Sequence, residues 1–416
     1  MEAVQFHPTG IFPAGILVTE GCRGDGGLLR DVDGNRFMPD YEPEKKELAS
    51  RDVVSRRMEE HIKKGKGVKS RFGEHLWLDI RLLGAEHIKR NLREVWDICH
   101  YFLGVDPVKD LIPVRPAQHY TMGGVRTKPT GESTTLKGLF AAGEAACWDM
   151  HGFNRLGGNS VAETVVAGMI VGEFIADYCD GAQGQASIPT SLVQETLKRE
   201  QAKLSALIDG KGTEDASVIK QQMQELMTNK VGIFRTGAEL AEAVDGLQKL
   251  LVRSRNIGLR ASTPGTDPEL VTAYRVQKML KLAVTVAYGA HLRTESRGAH
   301  FRQDFPRRDD AQWLKRTLAV WKSEADTLPT LTWEPLDVAR MELPPGWRGY
   351  GTRDYLEHPA TAARQAEVEA TRARLASAGR FAVQQALMPY EHLLPPRLRG
   401  RNERPGELLP QRQGAR

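Results

Sequence analysis

The sequence predicts a multidomain protein that mixes α+β and α/β architecture. Three observations predict it. At 416 residues the chain is too long for one ordinary core, so several domains are expected. Between about 119 and 185 an apolar strand pattern runs into small residues and then a long apolar helix pattern, the α/β texture. From about 186 to 325 apolar residues recur at three and four spacing, the mark of packed helices.

Residues 1–118 mix short β-rich runs with helices. GILVTEGCRG reads as a strand leading into a Gly-rich turn, and SRDVVSRRMEEHIKKG as a helix whose basic end complements its dipole. LKGLFAAGEAA reads as a buried strand ending in a small-residue turn. NSVAETVVAGMIVGEFIADYC reads as a helix apolar on most faces and capped by Asn159 or Ser160. Four further helices are expected at SLVQETLKREQAKLSALI, ASVIKQQMQELM, AELAEAVDGLQKLLVRSRN and PELVTAYRVQKMLKLAVTVAYGAHLR. Beyond 325 the chain is Pro-rich and extended, then closes with one charged helix, roughly Ala360 to Leu387, and a basic tail. The expected divisions are 1–118, 119–185, 186–325 and 326–416.

Composition narrows the function classes. Apolar residues make up 40% and charged residues 27%, ordinary for a globular protein. The most apolar stretch, Val161 to Cys179, is interrupted by Glu163 and Glu173, so no transmembrane helix is expected. The first residues do not resemble a signal peptide. The four cysteines form no CxxC pair, which argues against a disulfide framework and fits a reducing compartment. The net charge of +5 owes much to the arginines after Leu394. No aromatic-interleaved basic stripe accompanies them, so nucleic-acid binding is not expected, and the tail reads as a solvated one.

The chemistry-bearing motifs are QFHPTG (5–10), TEGCRG (19–24), SRD with Arg51 at a helix start, PAQHYTMGG with His119, and HGFNRLGGNS with Arg155. These are anion-handling parts. Arginine presents a planar fork of donors that fits a carboxylate, His and Thr add hydrogen bonds, and a helix start near glycines offers N–H groups. A small diacid needs two such grips. Each motif alone has a structural explanation: Arg51 could pair with Asp52, and Gly157 and Gly158 could be a tight turn. A zinc site of His7, His119 and His151 lacks any pair at metal-ligand spacing, so no metal is expected.

Taken in order, QFHPTG, TEGCRG, SRD, QHYTMGG, LFAAGEAA, HGFNRLGGNS and ESRGAHFRQDFPRRDD resemble the flavoprotein subunit of fumarate reductase and succinate dehydrogenase. RDVVSRRMEEHIKKGKGV, GEAACWDMHGFNRLGGNSVAETVVAGMIVGE and QQALMPYE most resemble the menaquinol:fumarate reductase branch whose membrane subunit carries two haems. The resemblance covers nearly the whole chain. It implies a capping domain over 1–118, the second half of a Rossmann-like FAD-binding domain over 119–185, a helical domain and an extended C-terminal region. His7, Thr19, Glu20, His119 and Arg155 would bind fumarate or succinate, Arg51 would donate the proton, and Glu20 and Arg23 would relay protons to it. Glu144 would hold the ribose of FAD, and Arg155, Asn159, Ser160 and Val161 would lie near its isoalloxazine ring. The implied partners are an iron–sulfur subunit and a haem-bearing membrane anchor, with the flavoprotein peripheral on the cytoplasmic face of the inner membrane.

One departure stands out. The family begins with a βαβ unit carrying a G-x-G-x-x-G turn for the FAD pyrophosphate, and the histidine bonded covalently to FAD lies in that segment. Gly24, Gly26 and Gly27 have the wrong spacing, and no such turn occurs here. The expectation is a partial subunit that, alone, neither binds FAD tightly nor turns over. The alternatives are a non-catalytic remnant or interaction module of that complex and, within the family, aspartate oxidase. The length of the helical region and the ESRGAHFRQDFPRRDD run favour the respiratory enzyme over the latter.

Overall fold

The computed structural model describes residues 1–181, 187–260, 267–336, 360–387 and 391–395. They sort into two compact units. The first comprises Met1–Gly124, Asp149–Ser160 and Ser187–Pro335, and the second Val125–Trp148, Val161–Ala186 and Leu336–Arg416.

The first unit is built on an antiparallel sheet. Its strands are β1 (Ala3–Ile11), β2 (Ile16–Leu17), β3 (Leu28–Arg30), β4 (Val68–Ser70), β5 (Gly73–Asp79) and β6 (Ile112–Met122). The order is β2-β1-β6-β5-β3, with β4 paired to β5. Ile11, Leu76, Leu78, Ile112 and Val114 are fully buried in it. The one-turn helices α1 (Gly21–Gly24) and α2 (Met38–Tyr41) lie in the connections. Helix α3 (Arg51–His61) packs on β1, where Ser55 Oγ donates to Phe6 O at 3.3 Å. It ends in a π turn over Ile62–Lys66, where Gly65 takes φ +79°. Short helices α4 (Ala85–Asn91) and α5 (Arg93–Ile98) lead to β6.

The same unit contains α7 (Thr190–Ile208), α8 (Ala216–Lys230), α9 (Gly237–Arg253) and α10 (Pro268–Leu292), at the four predicted positions. Their apolar stripes close on a core that includes Ile219, Leu240, Leu247, Val276, Leu280 and Val284, with Val4 of β1 joined to it. Asp215, Thr236 and Asp267 cap α8, α9 and α10. Two buried arginines lock this bundle to the base of β1. Arg235 Nη1 donates to Glu2 O at 2.7 Å, and Arg293 Nε donates to Glu2 Oε1 at 2.9 Å. The short α11 (Asp310–Trp313) precedes a hairpin, β9 (Lys315–Val320) and β10 (Thr330–Pro335).

In the second unit β7 (Val125–Arg126) and β8 (Ala146–Cys147) pair in parallel. Helix α6 (Asn159–Asp180) starts in the first unit and runs through the second. One face packs on the 125–148 segment: Trp148 Nε1 donates to Glu163 Oε1 at 2.6 Å, and Val171 lies against Gly131. By length and composition alone α6 is apolar enough to cross a membrane. Its one buried face carries Glu163, Ala167 and Val171, and Val161, Val165 and Val166 are exposed. The rest of the unit has α12 (Thr361–Arg374) and α13 (Gly379–Leu387), joined through Val368, Val383 and Leu387.

Several expectations change. The Gly-rich turn after GILVTE is the helical turn α1. LKGLFAAGEAA is not a strand: Phe140 makes an isolated bridge to Glu132, and Leu136 and Leu139 are exposed. A buried strand needs ladder partners along its edges, and among the described residues only the last residue of this run, Ala146, joins a ladder, the two-residue β7–β8 pair. Asn159 and Ser160 are the first residues of α6 rather than its cap. The charged helix over 360–387 breaks in two because Gly379 adopts φ +82°, which a continuing helix cannot use. The basic tail and most of the Pro-rich stretch lie outside the described residues.

Candidate active site

β1 is the frame of the site. Side chains alternate along a strand, so Gln5, His7 and Thr9 form a polar row, and all three are fully buried. Buried polar groups need partners. Thr9 N–H donates to His7 Nδ1 at 3.3 Å, and Thr9 Oγ1 donates to Val18 O at 3.0 Å. Because Nδ1 accepts, the neutral His7 ring carries its proton on Nε2. That Nε2 is buried without a hydrogen-bond partner among the described residues. A donor is therefore aimed at a space that should hold an acceptor.

Guanidinium groups surround it. Arg51 opens α3 and is 8% exposed; its Nε donates to Glu20 Oε2 at 2.7 Å and its Nη1 reaches Gln5 Oε1 at 3.5 Å. The Gln5 amide donates to Asn154 Oδ1 at 2.7 Å and to Arg155 O at 2.6 Å. Gln5 thus ties the start of α3 to the loop carrying Arg155. Arg155 Nη2 donates to His119 Nε2 on β6 at 2.8 Å, and its guanidinium lies 4.5 Å from the Tyr120 ring centroid. The His7 and His119 rings meet edge to face, 5.3 Å between centroids. Arg23 on α1 is buried; its Nη1 donates to Glu47 O, while Nε and Nη2 have no partner among the described residues. The Glu47 carboxylate is held by Arg36 at 2.9 and 2.6 Å.

The field here is positive. Burial pushes the His7 pKa down to about 2, and Arg51, Arg23, His119 and Arg155 push the same way. His119 falls to about 4 through burial, Arg155 and Arg51. Both rings are consequently neutral near pH 7. Burial also lowers the pKa of Arg23, with Glu20 working against it. A cluster of cations, one carboxylate and an N–H with no partner among the described residues suits a small anion.

The structure brings together His7, Glu20, Arg23, Arg51, His119 and Arg155. Thr19 is exposed; Val18 N–H donates to Thr9 O at 2.9 Å, which sets the Thr19–Glu20 pair beside β1. Gly157 closes the other side: a Cβ there would lie 2.8 Å from Glu20 Oε2 and 3.4 Å from Arg51 Nη2. Arg51 does not pair with Asp52, which is bound by Arg56 at 3.2 Å. His151 stands edge-on to Tyr120. No group of three or more His, Cys, Asp or Glu is arranged to hold a metal among the described residues. Sequence reading missed Gln5 and Asn154. The signal for Gln5 was its place two residues before His7 in an otherwise apolar run.

The cofactor candidates take exposed positions. Glu144 is an exposed residue on a 3-10 turn over Gly143–Ala145. Asn159 and Ser160 open α6, and Asn159 N–H donates to Leu156 O at 3.3 Å. Val161 is 71% exposed, an apolar surface at a helix start that an aromatic ring system could cover.

Two family models match the chain: an FAD binding domain over residues 1–161 and a fumarate reductase flavoprotein C-terminal domain over 220–350. The fumarate reductase flavoprotein subunit of Helicobacter pylori is 52% identical over 421 residues, covering 94% of this chain and 58% of that protein. The mitochondrial succinate dehydrogenase flavoprotein subunit of Oryza sativa is 39% identical, covering 78% of this chain and 52% of its own length. An E. coli quinol fumarate reductase structure superposes with TM-score 0.75 at 35% identity, covering 81% of this chain and 59% of that one. The chain therefore spans somewhat more than half the length of the relatives it matches.

Proposed function

From its place in the fumarate reductase and succinate dehydrogenase flavoprotein family, to which the chain belongs, we propose that it interconverts fumarate and succinate. The observation that carries this reading is the buried Nε2 of His7, without a hydrogen-bond partner among the described residues, within a cluster of arginines. An acceptor suits that N–H, and the guanidinium groups of Arg51 and Arg155 near it suit the carboxylates of a small diacid.

Arg155 and His119 hold one carboxylate, and His7, Thr19 and Glu20 orient the other. Cationic Arg155 draws electron density toward its carboxylate, which makes the alkene a better hydride acceptor. FAD, the cofactor of this family, supplies the hydride when bound, and Glu144, Arg155, Asn159, Ser160 and Val161 are the residues that would hold it. Arg51 delivers a proton to the other alkene carbon. Arginine side chains are strong bases that stay protonated in water, so this step requires a replacement proton at once. Glu20, bonded to Arg51 Nε, and Arg23 behind it form the relay. Burial of Arg51 and Arg23 keeps water from competing. The same groups serve succinate oxidation, since both directions share a transition state.

The division at 118, 185 and 325 into capping, flavin, helical and C-terminal parts belongs to this proposal. So do an iron–sulfur subunit, a haem-bearing membrane anchor and a peripheral position on the cytoplasmic face. In the flavin-loaded holoenzyme, fumarate reduction by reduced viologen should fall about 10²–10⁴-fold in Arg51→Ala, the range for loss of a general acid. Turnover within a few-fold of the parent would rule Arg51 out as donor.

A further inference from the structure

We propose that Arg56 is a positioning residue for proton transfer: it neutralises Asp52 and grips the Gly298 turn so that Arg51 stays committed to Glu20. The inference rests on the reading of Arg51 as the donor. Arg56 sits five residues after Arg51 on α3, about one and a half turns along. Its guanidinium touches Asp52, Gly298 and Phe301. Nη2 donates to Asp52 Oδ2 at 3.2 Å, Nη1 donates to Gly298 O at 3.1 Å, and Cζ stands 5.2 Å from the Phe301 ring centroid.

The Arg56–Asp52 pair is buried, with side chains 8% and 5% exposed. Asp52 Oδ1 has no hydrogen-bond partner among the described residues, so the pair with Arg56 carries most of the compensation for that carboxylate. A buried carboxylate stripped of its cation competes for another one. The cation next to it in the chain is Arg51, whose Nε is 2.7 Å from Glu20 Oε2. A guanidinium drawn toward Asp52 would lose the relay and move away from the substrate.

The Gly298 contact extends the argument to the carboxylate clamp. Ala299 N–H donates to Phe153 O at 2.8 Å, two residues before Arg155. Gly298 takes φ +53°, and a Cβ there would lie 2.6 Å from Phe153 O. The ESRGAHF run has no substrate contact in the reading above, yet one of its turns fastens both the donor helix and the clamp loop.

The test uses the flavin-loaded holoenzyme carrying R56Q, D52N/R56Q and R51A. R56Q should lower kcat for fumarate reduction about tenfold or more, by misplacing the donor, and should raise the solvent isotope effect on kcat. D52N/R56Q, which removes the stranded charge, should regain most of that loss, a coupling that a double-mutant cycle reads directly. A merely structural role would cost active protein without moving the isotope effect. An unchanged isotope effect, or a loss that the double variant does not repair, overturns the proposal. Should R56Q fail to fold, R56K keeps a cation beside Asp52 but loses the fork. A loss of roughly threefold with a raised isotope effect is then expected, and an unmoved isotope effect overturns it. Inactive R51A with silent R56Q removes only the role of Arg56, whereas active R51A removes the donor reading itself.

Discussion

The His7 ring is the most informative single residue. Its folded pKa, about 2, lies far below the ordinary value of 6.5. Between those values the unfolded chain binds a proton that the folded chain does not, so stability rises with pH. The contribution is complete above about pH 6.5 and is lost as the pH falls toward the folded pKa, at about 1.4 kcal/mol per pH unit. Moving from pH 7 to 5 should therefore cost the parent about 2 kcal/mol more than His7→Gln, measured by urea unfolding at both values. Equal losses would mean that the ring is not held neutral by its surroundings. His119, shifted the same way to about 4, adds a similar slope over the upper part of the window and a smaller total.

Among elements, the turn at Gly298 shows how a backbone position can serve two site segments. Alanine there is disfavoured twice, by φ +53° and by the 2.6 Å approach of its Cβ to Phe153 O. Gly298→Ala should cost about 1–3 kcal/mol in chemical denaturation, the usual range for such strain; a neutral change would show that the Phe153 loop yields freely. The four bundle helices were legible in the sequence because each has a continuous apolar stripe and three have capping residues. The strand expected at LKGLFAAGEAA failed for a physical reason. Strand formation depends on neighbours that a local pattern cannot report, and here, among the described residues, the run pairs only through the isolated Phe140–Glu132 bridge and its last residue, Ala146. The split of the last helix at Gly379 was visible as a glycine but not as a left-handed one.

At the scale of the molecule, the site is assembled from segments spread over a hundred and fifty residues, from His7 on β1 to Arg155 beyond β6. Motif order made the principal residues legible: His7, Glu20, Arg23, Arg51, His119 and Arg155 converge within one compact unit. Their connections were not legible. Gln5 bridging Arg51 to the Arg155 loop, and Arg56 taking Asp52 away from Arg51, depend on three-dimensional register rather than on residue type. We propose that the unit grips a diacid at both ends. The most direct test is calorimetric titration with fumarate and with crotonate, in which a methyl replaces one carboxylate. Fumarate should bind at least about tenfold more tightly, and Arg155→Met should abolish the difference, because a charge-assisted grip on the second carboxylate is lost in both cases. Equal affinity for the two acids, or a preference that survives Arg155→Met, would contradict the account.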